Sequence, residues 1–178
     1  MFHVITGSPG TGKHTISGML AAALRMPVLD ITRAAVEAGL AGPEGTDTDE
    51  LARMIGRPSG DTLLVGHLAP HVAAPETVAS AIVLRRSPYE LEAVYRRRGY
   101  ARPKALANLG AEILDVVAGE AAAAFGRITQ VDVTGDTPEG SSRKVAGAVR
   151  GHYPSDRVDW LGVIHRNGDV PRFFELDK

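Results

Sequence analysis

Near the start of the chain, Gly7-Ser8-Pro9-Gly10-Thr11-Gly12-Lys13 places three glycines around one lysine. Glycine lets a backbone curl so that successive N–H groups can point inward at an anion. An apolar strand precedes the segment and an amphipathic helix follows it, so the positive end of the helix dipole adds to the same field. Lys13 supplies a full charge where β- and γ-phosphates would lie. This spacing in this context is the phosphate-gripping P-loop. The usual hydroxyl after the lysine is replaced by His14, with Thr15 next. Imidazole is a poor ligand for Mg²⁺, which prefers oxygen. Either Thr15 serves as the metal ligand, or water and phosphates hold the ion.

A phosphate site needs further positive charge, because phosphoryl transfer relies on positioning and on neutralising the charge that spreads in the transition state. Arg96-Arg97-Arg98-Gly99 offers it. Arg98, beside a glycine that can act as a hinge, is expected to close over the phosphates, while Arg96 and Arg97 face solvent. Arg85 ends a strand and is expected either to touch phosphate or to pair with a surface carboxylate. His67 follows another strand and can orient a water or a phosphate, or serve as a partly buried structural residue. His67 and His71 are four apart, but Pro70 between them disfavours the helix that a metal pair requires. Trp160 is expected to pack and anchor the last helix.

The composition is that of a globular protein of one domain: 178 residues, 44% hydrophobic and 23% charged. The net charge of -1 argues against strong nucleic-acid binding by the whole surface. No apolar run is long enough to cross a bilayer, and the N-terminus lacks the pattern of a secretory leader. The chain has no cysteine, which excludes disulfides and fits a cytoplasmic location.

Strand and helix signals alternate, which predicts an α/β fold: a three-layer arrangement with a five-stranded parallel sheet. Strands are expected at 2–6, 27–31, 62–67, 81–85 and 128–133. Helices are expected after the glycine loop, at 32–38, from Pro88 to Gly99, as one long element at 103–125, and at 138–150. Ser87 with Glu90 reads as a capping box. Residues 41–49 read as a mobile loop, and 163–176 as a hairpin turned at Asn167-Gly168, with Pro171 on an edge strand.

The layout resembles the small adenylate kinases of the isoenzyme-6 type and their archaeal counterparts. The resemblance rests on Gly7–Thr15, Gly66-His67-Leu68-Ala69, Val83-Leu84-Arg85 with Pro88, and Arg98-Gly99-Tyr100. It also rests on Ala111-Glu112-Ile113-Leu114-Asp115, on Asp132 with Thr134-Gly135-Asp136-Thr137-Pro138, and on Asp159-Trp160-Leu161. It implies a kinase domain over residues 1–161, with an NMP-binding arm at 30–53 that begins at Asp30, a short lid at 97–107, and an added tail at 162–178. It implies transfer of phosphate from ATP to AMP with Mg²⁺, accompanied by ATPase activity. Gly10, Gly12, Lys13, His14, Thr15 and Arg98 would contact ATP, and Lys13, Arg98 and His67 would act in catalysis. It further implies a small-subunit ribosomal protein as partner and a role in ribosomal RNA maturation. The chain departs from the family pattern at His14 and at Val65, where an acidic residue is expected two positions before His67. Two other readings stay open: an assembly ATPase, and a module that binds nucleotide without turnover.

Overall fold

A computed structural model describes residues 1–42 and 45–174. Its centre is a parallel sheet of five strands in the order β2-β5-β1-β6-β7. These are β1 (Phe2–Gly7), β2 (Val28–Asp30), β5 (Thr62–Val65), β6 (Val78–Arg85) and β7 (Thr129–Asp132). The middle strand β1 is buried along its whole length, and its neighbour β5 carries the unbroken apolar run Leu63-Leu64-Val65 of a buried parallel strand. The strand register sets Thr6 opposite Val83 and Gly7 opposite Leu84, so β1 ends level with β6.

Two layers cover the sheet. On one face Ile5, Leu63, Val65, Ile82 and Val131 pack against Ile16 and Leu20 of α1 (Lys13–Leu24) and Val145 of α8 (Pro138–Val149). On the other, Val4 and Leu64 pack with Ile31 and Ala35 of α2 (Ile31–Glu37), Leu51 of α3 (Thr48–Ile55), and Ala69 and Val72 of α4 (Ala69–Val72). Val83 packs with Ala118 and Ala121 of α7 (Val116–Phe125). Alternate residues of each strand therefore serve opposite layers, as the pleat requires. The five expected strands and the parallel order are present.

Four expectations are corrected. Segment 41–49 is not simply a loop: β3 (Ala41–Gly42) pairs antiparallel with β4 (Gly45–Thr46), and α3 follows, capped by the Asp47 carboxylate on the Glu50 N–H at 2.9 Å. Residues 43 and 44 lie outside the described part. The long helix at 103–125 is two helices, α6 (Arg102–Ile113) and α7, separated at Asp115, whose φ is 57°. Aspartate tolerates that left-handed conformation better than most residues, and an ion pair from Arg85 to Asp115 fixes it.

The capping box at the start of α5 (Pro88–Arg97) does not form. The Ser87 N–H donates to Thr134 Oγ1 at 2.8 Å, and Glu90 accepts from Arg86 at 2.7 Å and from the Gly135 N–H at 3.0 Å. The tail is not a hairpin but two short helices, α9 (Trp160–Arg166) and α10 (Val170–Phe173). Gly168 at φ 72° ends α9, with Gly168 N–H bonded to His165 C=O and Asp169 N–H to Ile164 C=O. That pair of bonds is a helix stop built on glycine, and Pro171 sits in the first turn of α10. Residues 175 and 176 of the expected hairpin lie outside the described part. Ile164 and Phe173 are buried with Leu91, Tyr95, Leu109 and Ile113, so the tail is clamped on α5 and α6.

Candidate functional site

The glycine loop runs from the end of β1 to Gly12, the residue before α1. Gly10 and Gly12 have φ of 87° and 93°, conformations that cost little only for glycine. A side chain at Gly10 would also meet Leu91, Val94 and Tyr95 at 3.1–3.2 Å, because the loop lies directly on α5. The Tyr95 hydroxyl donates to Pro9 C=O at 2.7 Å, and the Thr11 hydroxyl donates to Ser8 C=O at 2.9 Å. The first amides of α1 have no acceptor within the helix, which is the source of its anion affinity.

Lys13 is 6% exposed, and its ammonium donates to Gly7 C=O at 2.6 Å and Ser8 C=O at 2.9 Å. Burial lowers its pKa to about 8, with Arg98 lowering it further while Glu112 and Asp30 oppose the shift. Arg98 therefore stands close enough to act on Lys13 electrostatically, as expected of a second phosphate cation. Gly99 beside it, at φ 65°, ends α5 by the same glycine stop seen in α9, with Tyr100 N–H on Tyr95 C=O. Tyr100 then stacks on Tyr95 at 5.2 Å. The segment 97–107, expected as a lid, is thus the end of α5, a tight turn and the first residues of α6.

One cavity of about 210 Å³ gathers Gly10, Gly12, Lys13, His14, Thr15, His67 and Arg98, together with Thr32 and Tyr100. Seven residues singled out in the sequence converge there from three separate segments. Burial and then the Lys13 charge lower the pKa of His67, which leaves its ring neutral near pH 7. Asp30 closes the site differently: its carboxylate lies 2.8 Å from His14 Nδ1 and accepts from the Arg33 N–H at 3.1 Å, capping α2. His71 lies 3.7 Å from Glu120.

A second cavity of about 190 Å³ shares Gly12 and Thr15 with the first and continues to Arg86, Val133, Asp136 and Pro138. A larger one, about 450 Å³, lies at the opposite end of the strands, beside Ala79, Arg127 and the C-terminus of α8. Helix C-termini repel anions, so phosphate belongs at the glycine loop.

Among the described residues no three His, Asp or Glu side chains converge as a metal cage. The side-chain oxygens lining the pocket are the hydroxyls of Thr15, Thr32 and Tyr100, with the Asp30 carboxylate beside it on His14. That sparse oxygen set fits Mg²⁺, which keeps its waters and is carried mainly by phosphates.

Sequence reading missed two members of the site, Glu112 and Arg86, and foresaw only part of the role of Arg85. Arg85 does pair with a surface carboxylate, the exposed Asp115, but its other partners are internal. It is 1% exposed and binds Glu112 Oε1 at 2.8 Å, Glu112 C=O at 2.9 Å, Asp115 and Gln130. Glu112 stood in the sequence only as one letter of a motif, yet it is 2% exposed and accepts from the Ser8 hydroxyl at 2.6 Å. Arg86 reaches Gly10 C=O at 3.3 Å. A glutamate among apolar neighbours, Ala111-Glu112-Ile113-Leu114, with arginines at a strand end, was the available signal.

No family model matches the chain. Curated relatives do. It is 36% identical over 180 residues to a "Putative adenylate kinase" of Pyrobaculum aerophilum, covering 93% of this chain and 88% of that one. Proteins of the same name from Pyrococcus furiosus and Natronomonas pharaonis are each 34% identical, covering 92% and 90% of this chain and 93% and 94% of theirs. Among solved structures, a gluconokinase from Sinorhizobium meliloti superposes with a TM-score of 0.53 at 19% identity, covering 83% of this chain and 90% of that one. Shikimate kinase from Aquifex aeolicus gives 0.52 at 14%, covering 85% and 97%. These two likenesses are of fold.

Proposed function

The chain belongs to the isoenzyme-6-type adenylate kinase family of these archaeal relatives, and on that premise we propose that it transfers the γ-phosphoryl group of ATP to AMP, giving two ADP. The observation that carries this is the convergence of Lys13, Arg98 and His67 on one cavity floored by the glycine loop. The ATP phosphates lie in the loop, and the base and ribose extend along the second cavity towards Arg86 and Pro138. The acceptor enters beside Thr32 and His67, next to the arm that begins at Asp30.

The reaction breaks the bond from the γ-phosphorus to the β–γ bridging oxygen and forms one to a phosphate oxygen of AMP. Lys13 and Arg98 place two cations around the oxygens that gain charge, in a site where Lys13 is shielded from water. His67, neutral at pH 7, offers a ring N–H to the acceptor phosphate and adds no charge. Thr15 and Asp30 would hold Mg²⁺, which when bound neutralises phosphate charge.

Steady-state assays against AMP, CMP, UMP and dAMP test the proposal. ADP should form fastest with AMP, and Lys13→Ala should remove the activity. ADP formation that does not depend on any monophosphate identifies an ATPase and defeats the kinase reading.

A further inference from the structure

Glu112 is the meeting point of four elements. Its Oε2 accepts from the Ser8 hydroxyl of the glycine loop at 2.6 Å. Its Oε1 accepts from Arg85 Nε at 2.8 Å and the Arg86 N–H at 3.1 Å, both at the end of β6, and from the Trp160 indole N–H of α9 at 3.2 Å. The carboxylate itself sits in α6, the helix that follows the lid turn. A buried charge in such a place is normally explained by its counter-ion. Arg85, however, also has Asp115 and Gln130 as acceptors, so neutralising it does not require the contact to Ser8. One of the two carboxylate oxygens is given to the loop.

Ser8 is in turn the residue on which Lys13 rests. Its carbonyl accepts from Lys13 Nζ and from the Thr11 hydroxyl, each at 2.9 Å. A short hydrogen bond to a carboxylate is about twice as strong as a neutral one, so Ser8 is pinned by its side chain while its carbonyl seats the lysine. Glu112 also acts on Lys13 directly, holding its pKa up against burial.

We propose that Glu112 is the positioning residue of the phosphate cradle and that the Trp160 indole makes the tail helix part of the same support. The inference rests on the reading that ATP phosphates occupy this loop. When phosphate draws the Lys13 ammonium away from the Gly7 and Ser8 carbonyls, the change passes through Ser8 and Glu112 to the indole. Trp160 is the single tryptophan of the chain, so its emission reports that event without a label.

The test combines calorimetry of ATP binding with Trp160 emission in the same titration, on the wild type, Glu112→Gln and Ser8→Ala. In the wild type the heat and the emission should saturate together. Both variants should weaken ATP binding by about tenfold, the cost of losing one hydrogen bond to a charged group. In Glu112→Gln the apparent pKa that limits kcat/KM should fall below that of the wild type, which a mere loss of packing would not cause. Should Glu112→Gln fail to fold, Ser8→Ala carries the test, because it removes only the bond to the loop. Wild-type affinity in the folded variants overturns the positioning role. ATP heat without any change in Trp160 emission overturns the link to the tail. No heat from ATP in the wild type overturns the nucleotide reading itself, and the inference with it.

Discussion

The two flanks of the phosphate loop use arginine in opposite ways. On the Glu112 flank, Arg85 is 1% exposed and every interaction it makes is with the protein's own acceptors. On the cavity flank, Arg98 is exposed at the end of α5 and lines the pocket with Lys13 and His67. Both are cations that sit at the edge of the same loop. What separates them is burial with matched carboxylates against exposure beside a second cation. Arg85 holds the framework, and on the proposed function Arg98 serves the ligand. A buried guanidinium needs partners within its own fold, whereas a catalytic one must be satisfied only when substrate is present.

Swapping the loss between the two flanks should separate stability from activity. Arg85→Ala leaves Glu112 buried with one fewer cation and should cost about 3–5 kcal/mol of folding stability, read by denaturant unfolding. A variant as stable as the wild type would break the contrast. Arg98→Ala should lower kcat by about 100-fold with melting unchanged, the size of effect seen when one transition-state charge partner is removed. A fall in melting with kcat intact would reverse the roles.

The same contrast extends to pH. On the proposed function Lys13 grips phosphate as an ammonium, and burial lowers its pKa to about 8. The kcat/KM for ATP should therefore be level below pH 8 and fall as pH rises through it, by about tenfold per unit. Folding responds with the opposite sign. A lysine that titrates lower in the folded chain than in the unfolded one penalises folding below pH 8, and that penalty is relieved between about 8 and the ordinary value near 10.5. A flat kcat/KM up to pH 9.5 would place the ammonium away from the phosphates. The smallest effect belongs to the tail surface. Arg172, paired with Glu92 and lying over the Tyr89 ring, is half exposed, so Arg172→Ala should cost under about 1 kcal/mol in a thermal melt.

The loop, the five strands and the convergence of Lys13, Arg98 and His67 were legible because their signals are local. A strand, a glycine turn, a lysine and a helix follow one another within a short stretch, and the other two residues fall where elements end. What was not legible depends on distant partners. Asn167-Gly168 suits a hairpin turn and a helix stop equally well, and only the burial of Ile164 and Phe173 against α5 and α6 decides between them. The break at Asp115 carries no glycine or proline, so it escapes a reading by breaker residues. It exists because Arg85, far away in sequence, holds its carboxylate. Arg85 was left open between phosphate and a surface carboxylate because nothing in the sequence brings Glu112 to the end of β6.

The most direct measurement follows the phosphoryl group itself. ATP labelled in its γ-phosphate is mixed with AMP and the protein, and the products are separated. The label should appear as the β-phosphate of newly formed ADP in the wild type and stay on ATP with Lys13→Ala. Label released only as inorganic phosphate, or transferred equally well by Lys13→Ala, would contradict a loop that holds ATP for transfer to a monophosphate.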